Sequence, residues 1–186
     1  PDGQLLDGDR DEVPGGDFME TFTVAATPAV RVGLQSFARA PGEVVNLPVT
    51  TTAGIPLTLD STGDVTSLRL VVTHDAAWFD VYGIDLAAGL PADVTLTVQD
   101  EGSGRIVVEV TSSTPLPAGR LTLAHLRGAV PTAAPAGVDT LLIVGEVGAN
   151  SGLVSAGGLS AVQVVARLGD NTADGSLSAV GGGLFS

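Results

Sequence analysis

The fold is decided by the stretch Val65-Thr66-Ser67-Leu68-Arg69-Leu70-Val71-Val72-Thr73-His74-Asp75-Ala76-Ala77-Trp78-Phe79-Asp80-Val81-Tyr82-Gly83-Ile84-Asp85-Leu86. In its first part, apolar residues occupy every second position (Leu68, Leu70 and Val72), and polar residues lie between most of them. That period of two, with many β-branched residues, is typical of a half-buried β-strand. Residues 74–77 then turn the chain, and residues 78–86 are predicted to form a second strand.

The aromatic residues of this stretch are predicted to fill a corner of the core. Trp78 and Tyr82 are the only residues of their kind, and aromatic residues make up just 4% of the chain. Phe79 lies between them in sequence. Because aromatic side chains bury large areas, we expect this corner to supply much of the core's bulk, with Val, Leu, Ile and Ala supplying the rest.

The remaining chain from Phe22 onward consists of strand-like runs separated by Gly, Pro and Asp turns. The predicted strands are Phe22–Val32, Val44–Thr51, Val65–Thr73, Phe79–Leu86, Asp93–Val98, Arg105–Val110, Leu121–Arg127, Val138–Gly145 and Leu159–Arg167. Turns are expected at residues 40–43, 99–104 and 115–119. About nine strands with no helical period predict an all-β fold, a single antiparallel β-sandwich.

The composition excludes several classes of function. A net charge of −13 makes nucleic acid an unsuitable partner, because the protein's field repels phosphate. Cysteine is absent and all eight basic residues are arginines, which excludes disulfides, thiolate chemistry and lysine Schiff bases. No apolar run approaches the ~20 residues of a membrane-spanning helix. Because the chain starts at Pro1 without a methionine, we expect it to be a piece of a longer precursor.

Residues 1–28 are predicted to be an acidic, extended segment, with a β-prone run just before Pro28. Carboxylates at every second position resemble the start of a calcium loop; they are Asp7, Asp9 and Asp11. The match then ends, since Phe18 stands where a bidentate carboxylate should close the loop. Two interpretations remain, a calcium site and a solvated acidic linker.

Residues 167–186 form a third region, with a calcium-loop pattern and a glycine-rich tail. Positions 1, 3, 5 and 7 of an EF-hand-type loop are occupied by Asp170, Thr172, Asp174 and Ser176. Gly175 stands at the sharp turn of the loop, but Gly181 replaces the closing acid at position 12. The segment is predicted to bind calcium weakly or to be a simple Asp/Gly turn.

Residues 29–166 resemble a cohesin-type domain, the receptor module of bacterial cellulosomes and of many non-cellulosomal surface proteins. Three stretches carry the resemblance: Ala40-Pro41-Gly42-Glu43-Val44-Val45-Asn46-Leu47-Pro48-Val49, residues 65–84, and Leu116-Pro117-Ala118-Gly119-Arg120-Leu121-Thr122-Leu123-Ala124-His125-Leu126. They are similar to the family's A-P-G-x-x-V-x-V-P-V opening, its Y-D-P-x-x-L-x-V-x-G junction and its late G-x-L-x-x-L strand. At the junction, His74 and Ala76 replace the usual Tyr and Pro, which indicates a divergent, non-cellulosomal branch.

The resemblance implies a nine-stranded jelly-roll sandwich and a non-catalytic protein–protein interaction module. It implies a dockerin-like protein partner and a location outside the cell, secreted or on the bacterial surface. Calcium association is expected from the loop pattern of residues 170–181. The tail at residues 168–180 similarly resembles the first calcium repeat of a dockerin, although a functional dockerin has two repeats. It is interpreted as a truncated remnant of such a module.

Catalysis is not expected from this sequence. His74 stands at a strand end and His125 within a strand, and no known catalytic motif surrounds either residue. Acid pairs for glycoside hydrolysis are the one open alternative; the candidate carboxylates are Asp60, Asp64, Asp75, Asp80, Asp100 and Glu101.

Two alternatives to a receptor module are open. One is a self-assembling subunit of a surface filament or sheath, in which residues 22–27 pair as a donor strand with the sheet edge of a neighbouring copy. The chain would then form a homopolymer. The other is a carbohydrate-binding module, which the shortage of exposed aromatic rings disfavours, since Trp78 is expected in the core.

Overall fold

The computed structural model describes residues 28–166, which form eleven β-strands and one short 3-10 turn at Asn150–Gly152. The strands are β1 (Val30–Gly33), β2 (Phe37–Arg39), β3 (Ile55–Ser61), β4 (Ser67–Thr73), β5 (Asp80–Leu86), β6 (Thr95–Gly102), β7 (Arg105–Thr111), β8 (Gly119–Ala129), β9 (Val138–Ala149), β10 (Ala156–Leu159) and β11 (Ala161–Val165). No helix in this part of the chain has the length and apolar character needed to cross a membrane.

The strands form two sheets packed face to face, which confirms the predicted jelly-roll β-sandwich. Sheet I has five strands in the order β10-β1-β3-β8-β5, and sheet II has six in the order β2-β11-β9-β4-β7-β6. Most neighbours are antiparallel, but β1 pairs with β10 and β2 with β11 in parallel. Within the described residues, β10 and β5 are therefore the edges of sheet I, and β2 and β6 those of sheet II.

Strand β4 has the alternation that its sequence predicts. Leu68, Leu70 and Val72 are buried between the sheets, whereas Arg69 is exposed on the other face. Valine and leucine side chains from both sheets complete a single apolar core with few aromatic rings. Burial of apolar area in this core is the main force that holds the two sheets together.

The aromatic corner is buried only in part. Phe79 is fully buried, its ring 5.4 Å from that of Phe37, and it lies over Gly128, where a Cβ atom would collide with the ring. Trp78 packs partly buried against the core. The expectation for Tyr82 was wrong: β5 bulges there, and the tyrosine ring is exposed beside Arg127.

In the first third of the chain, one strand prediction was wrong and one strand was not predicted. Val44–Thr51 is not a strand; only Val44 forms an isolated bridge, and the chain turns at Pro48, where the amide of Thr51 donates to the Pro48 carbonyl. The strand lies instead at β3, which the prediction missed although its residues alternate between buried and less buried. Pro56 obscured it, and the structure accommodates this proline because β1 pairs only with residues 58–60 of β3.

Two boundaries later in the chain also differ from the prediction. β6 continues to Gly102, so the expected turn at residues 99–104 is confined to Ser103 and Gly104. The predicted strand Leu159–Arg167 is two short strands that belong to different sheets, with Ser160 between them. The Ser160 hydroxyl accepts a hydrogen bond from the amide of Val144 at 3.2 Å, which fixes the crossing.

Polar side chains hold the ends of strands in sheet II. The Asp93 carboxylate, just before β6, accepts hydrogen bonds from the amides of Ser113 and Thr114 at 2.9 and 3.0 Å. Hydrogen bonds, above all from the Ser113 hydroxyl, hold the pKa of Asp93 well below its usual range. Asn150 likewise accepts from the amides at the start of β4 and donates to the carbonyl of Asp64.

We expect Phe79→Ala to lower the free energy of unfolding by about 3–5 kcal/mol, because it removes a fully buried ring and leaves a cavity over Gly128. Urea denaturation followed by circular dichroism measures the change. Tyr82→Ala, which removes an exposed ring, is the control and should cost no more than about 1 kcal/mol. Equal losses for the two variants would show that Phe79 does not anchor the corner.

Candidate protein-interaction face

The outward side of sheet II carries a chain of ion pairs that crosses four strands. Arg105 on β7 binds Glu146 on β9 through two hydrogen bonds of 2.8 and 2.9 Å, and it binds Glu101 at 2.6 Å. Arg69 on β4 lies 3.5 Å from Glu109 and 3.7 Å from Glu146. All five side chains are solvent-exposed by a third or more. We call the surface around them the outer face.

A bulge in β9 brings Glu146 to this position. Arg69 pairs with Gly148 and Val71 with Gly145, so two residues of β9 stand opposite one of β4. Glu146 itself has a positive φ of 48°, a conformation uncommon for a residue with a side chain. Bulges re-aim side chains, and this one directs the Glu146 carboxylate across β4 to Arg105.

The outer face also has an apolar part. Val71 and Val107 are cross-strand partners that point outward, yet they are only 2% and 5% exposed, between the flanking arginines and glutamates. Beside them Leu141, Ile143 and Val162 point outward from β9 and β11 and remain substantially exposed. We call these last three residues the apolar patch. An apolar centre with a charged surround is the arrangement of a protein–protein interface.

A depression of about 430 Å³ lies at the β9 bulge. Its polar lining residues include Ser67, Arg69, Glu109, Thr111, Glu146 and Ser151. Hydroxyls, carboxylates and one guanidinium offer both hydrogen-bond donors and acceptors at a fixed sheet surface. The depression suits polar side chains or peptide groups of a protein partner.

The ion pairs change the titration of their members. The hydrogen bonds from Arg105, followed by its charge and that of Arg69, lower the pKa of Glu146 below its usual value. The same contacts, together with Glu101, raise the pKa of Arg105. Both shifts favour the charged forms, so the Arg105–Glu146 pair stays ionised at neutral pH.

The two histidines lie apart, one in a turn and one on a strand. His74 lies in the turn after β4, where its Nδ1 atom is 2.8 Å from the carbonyl oxygen of Phe79 and its amide donates to Gly104. His125 lies on β8, opposite Asp85 and Pro56 on the neighbouring strands. The sandwich separates them, because one belongs to the corner and the other to the outward side of sheet I.

Most of the candidate catalytic acids form hydrogen bonds within turns or pair with arginines. Asp64, Asp75 and Asp100 accept hydrogen bonds from groups two residues away, and Glu101 binds Arg105. Asp60 lies opposite arginines on both neighbouring strands, and Asp80 begins edge strand β5. Among residues 28–166, no three histidine or acidic side chains are placed to hold a metal ion.

The predicted calcium ligands lie outside the described residues. These are Asp7, Asp9 and Asp11 in the first segment and Asp170, Thr172, Asp174 and Ser176 in the last. The boundaries at residues 28 and 167 therefore stay predictions, as does the donor role of residues 22–27.

Sequence reasoning did not identify the outer face. Single charges inside apolar runs, such as Arg69 in β4 and Glu109 in β7, were a signal that one side of these strands faces solvent. The contact of Arg105 with Glu146 has no local signal, because 41 residues separate them and a bulge makes the contact.

Comparison with known proteins gives one kind of match. No protein-family model matches the sequence, and no curated protein does. Solved structures of cohesins match the fold. A non-cellulosomal cohesin from the archaeon Archaeoglobus fulgidus has a TM-score of 0.59 at 14% identity, covering 74% of this chain and 91% of that one.

Two further cohesins match to the same degree. The cohesin CaCohA2 from Clostridium acetobutylicum has a TM-score of 0.60 and 20% identity over 75% of this chain and 92% of its own. The sixth cohesin of scaffoldin B from Acetivibrio cellulolyticus, in complex with a Cel5 dockerin, has a TM-score of 0.60 and 16% identity, covering 74% of this chain and 99% of its own. At these identities the likeness shows that residues 28–166 have the cohesin fold.

We expect Arg105→Gln to raise the pKa of Glu146, because the variant removes the main hydrogen bonds that hold its carboxylate ionised. A carboxyl titration followed by NMR measures the shift. A pKa that is lower in the folded state than in the unfolded state stabilises the protein at pH values above the unfolded-state pKa, and this stabilisation is lost as the pH falls. The difference in the free energy of unfolding between the variant and wild type should therefore shrink in acid. Arg120→Gln, on sheet I, is the control; an equal response there would contradict the role of Arg105.

Proposed function

We propose that the chain is a non-catalytic protein–protein interaction module whose partner binds the outer face of sheet II. The observation that carries the proposal is the apolar patch beside a connected set of five charged side chains, on a sheet fixed by the core beneath it. Rigid elements hold a binding surface more accurately than loops.

The fold supports this proposal and suggests the class of partner. One structure with the same fold, the sixth cohesin of scaffoldin B, is a complex with a dockerin. By that analogy we propose a dockerin-like module as the partner. A fold does not by itself assign a function, so the proposal depends on the chemistry of the outer face.

The outer face favours a partner that covers its apolar groups and carries a complementary charge pattern. Covering Leu141 and Ile143 removes apolar area from water and so stabilises the complex. The flanking arginines and glutamates weaken the binding of a partner whose charges do not complement theirs. Two arginines and three glutamates leave one net negative charge on the face. A partner surface with an apolar centre and a slight excess of basic residues is the best complement.

The proposed setting is outside the cell, at a bacterial surface or secreted, and calcium is the proposed ion. Its ligands would be Asp170, Thr172, Asp174 and Ser176, which lie beyond the described residues. An acidic chain without cysteine suits a calcium-rich environment.

The binding test is interferometry of the immobilised full chain against a panel of purified dockerin modules. We expect at least one to bind, and we expect Leu141→Asp to weaken that binding by about tenfold or more, because it puts a charge in the apolar patch. Leu159→Asp is the matched control: this leucine of β10 is equally exposed but belongs to sheet I. It should bind like wild type.

Two outcomes contradict the proposal. If no dockerin of the panel binds at high micromolar concentration, the dockerin-like partner is wrong. If Leu159→Asp weakens binding and Leu141→Asp does not, the partner uses sheet I and the outer face is not the site.

Calcium binding is tested separately by calorimetric titration of the full chain. We expect weak binding, with a Kd on the order of 10⁻⁴–10⁻³ M as in extracellular modules, because the loop lacks its closing carboxylate. The double variant Asp170→Ala/Asp174→Ala should abolish the heat, and Asp7→Ala/Asp9→Ala should leave it unchanged. The reverse pattern would move the site to the N-terminal segment; no heat from wild type would remove calcium from the proposal.

A further inference from the structure

The sandwich is open along one side, between edge strands β5 and β6. β5 ends sheet I and β6 ends sheet II, and the two do not pair with each other in the described part of the chain. A cavity of about 270 Å³ lies between them, lined by Val81, Tyr82, Ile84, Val98, Asp100 and Ile106. We call this opening the seam.

The side chains at the seam point inward but are not covered. Val98 pairs with the buried Val108, so it faces the core, yet it is 40% exposed. Leu86 pairs with the buried Ala124 and is 38% exposed. Core-facing apolar residues with this exposure indicate a missing layer of side chains, since most core-facing apolar residues of the two sheets are buried.

The backbone of β6 offers the means to add that layer. Eight residues long and paired on one side only to β7, it leaves one row of amides and carbonyls unpaired within residues 28–166. Long edge strands of this kind are templates for an added strand. No proline interrupts β6, and its charges, Asp100 and Glu101, stand together at one end.

We infer that the seam accepts residues 22–27 of a second copy of this chain as an added β-strand. The run Phe22-Thr23-Val24-Ala25-Ala26-Thr27 is uncharged and rich in strand-forming residues. Its alternation places Phe22, Val24 and Ala26 on one side, where they can fill the seam. The acidic residues that precede it are excluded from the seam, because Asp100 would repel them.

A second copy is required because the chain cannot fill its own seam in this way. Pro28 lies against Gly157 of β10, at the far side of sheet I. Even from β1, strand β5 is three strand spacings away, about 14 Å. Thr27 lies only ~3.8 Å from Pro28 along the chain, so residues 22–27 cannot all lie along the seam of their own molecule.

When each copy inserts its segment into the seam of the next, every complex keeps an unused donor segment at one end and an open seam at the other. The contact is therefore heterologous, and it builds linear polymers instead of closed dimers. The seam and the outer face are different surfaces, so this inference stands apart from the proposed partner binding.

The test is sedimentation velocity of the full-length protein over a range of concentrations. Wild type should form a concentration-dependent series of oligomers. Val98→Arg, which blocks the seam, and Val24→Asp, which spoils the donor, should both sediment as monomers. Thr97→Arg is the matched control, since its side chain lies on the opposite side of β6 and it should assemble like wild type.

Mixing the two blocked variants gives the sharpest result. Val98→Arg still carries a donor and Val24→Asp still has an open seam, so a mixture should form one-to-one dimers and nothing larger. Circular dichroism of each variant shows whether it is folded. Val24 is not one of residues 28–166, which form the sandwich, so the Val24→Asp variant keeps the test valid if Val98→Arg unfolds.

Several outcomes overturn the inference: a monomeric wild type at every concentration, assembly of both blocked variants, or a mixture without dimers. Leu141→Asp should assemble normally. If it alone abolished assembly, copies would associate through the outer face and the seam would not be the site. Because Leu141→Asp also reports on partner binding, the two proposals fail in different experiments.

The absence of cysteine allows a direct check. Copies with Val24→Cys mixed with copies with Val98→Cys should form an intermolecular disulfide on oxidation, because bonded Cβ atoms lie only about 3.5–4.5 Å apart. Val24→Cys mixed with Thr97→Cys should not. Equal cross-linking in both mixtures would show random collision and contradict the insertion.

Discussion

The packing of the Phe79 ring over Gly128 is the contact on which the arrangement of the two sheets depends. Phe79 stands in the corner where the chain leaves β4 in sheet II and enters β5 in sheet I, and its ring also meets Phe37 of β2. The corner is held from outside by His74, whose ring nitrogen contacts the Phe79 carbonyl. Because Phe37 is the only other aromatic residue among the buried core residues of the described chain, no neighbour can replace this contact, and the spacing of the sheets at the corner follows from it.

The strands that could be predicted are those whose local alternation agrees with their final environment. β4 shows this well, since Leu68, Leu70 and Val72 are buried where the period of two places them. The prediction failed where a contact between residues distant in sequence determines whether and where a strand forms. Pro56 is tolerated in β3 only because β1 stops short of it, and the split at Ser160 depends on the Val144 amide. Charge alternation in β4 and β7 indicated a solvent-facing side, but not that the β9 bulge would join its charges.

The two sides of the molecule show different ways of managing exposed apolar surface. On the outer face, Val71 and Val107 are shielded within a single chain by the flanking charged side chains. At the seam, Val98 and Leu86 are not shielded, although their partners Val108 and Ala124 are fully buried. A sandwich closes such an edge with a loop, a charge or another strand. Here the charged residue that lines the cavity, Asp100, stands at one end of the seam and leaves its middle open.

The clamp at Asp93 explains why an open edge is compatible with a stable strand. Asp93 ties the start of β6 to residues 112–114 after β7 by accepting hydrogen bonds from five donors, two backbone amides and three hydroxyls. Glu101 ties the other end of β6 to Arg105. A strand held at both ends and paired along one side keeps its free row of amides and carbonyls in register, and this lowers the conformational entropy that β6 itself must lose when a strand is added. The charges that fix β6 thus also make its edge a prepared surface, whereas a frayed edge would have to be ordered at the moment of binding.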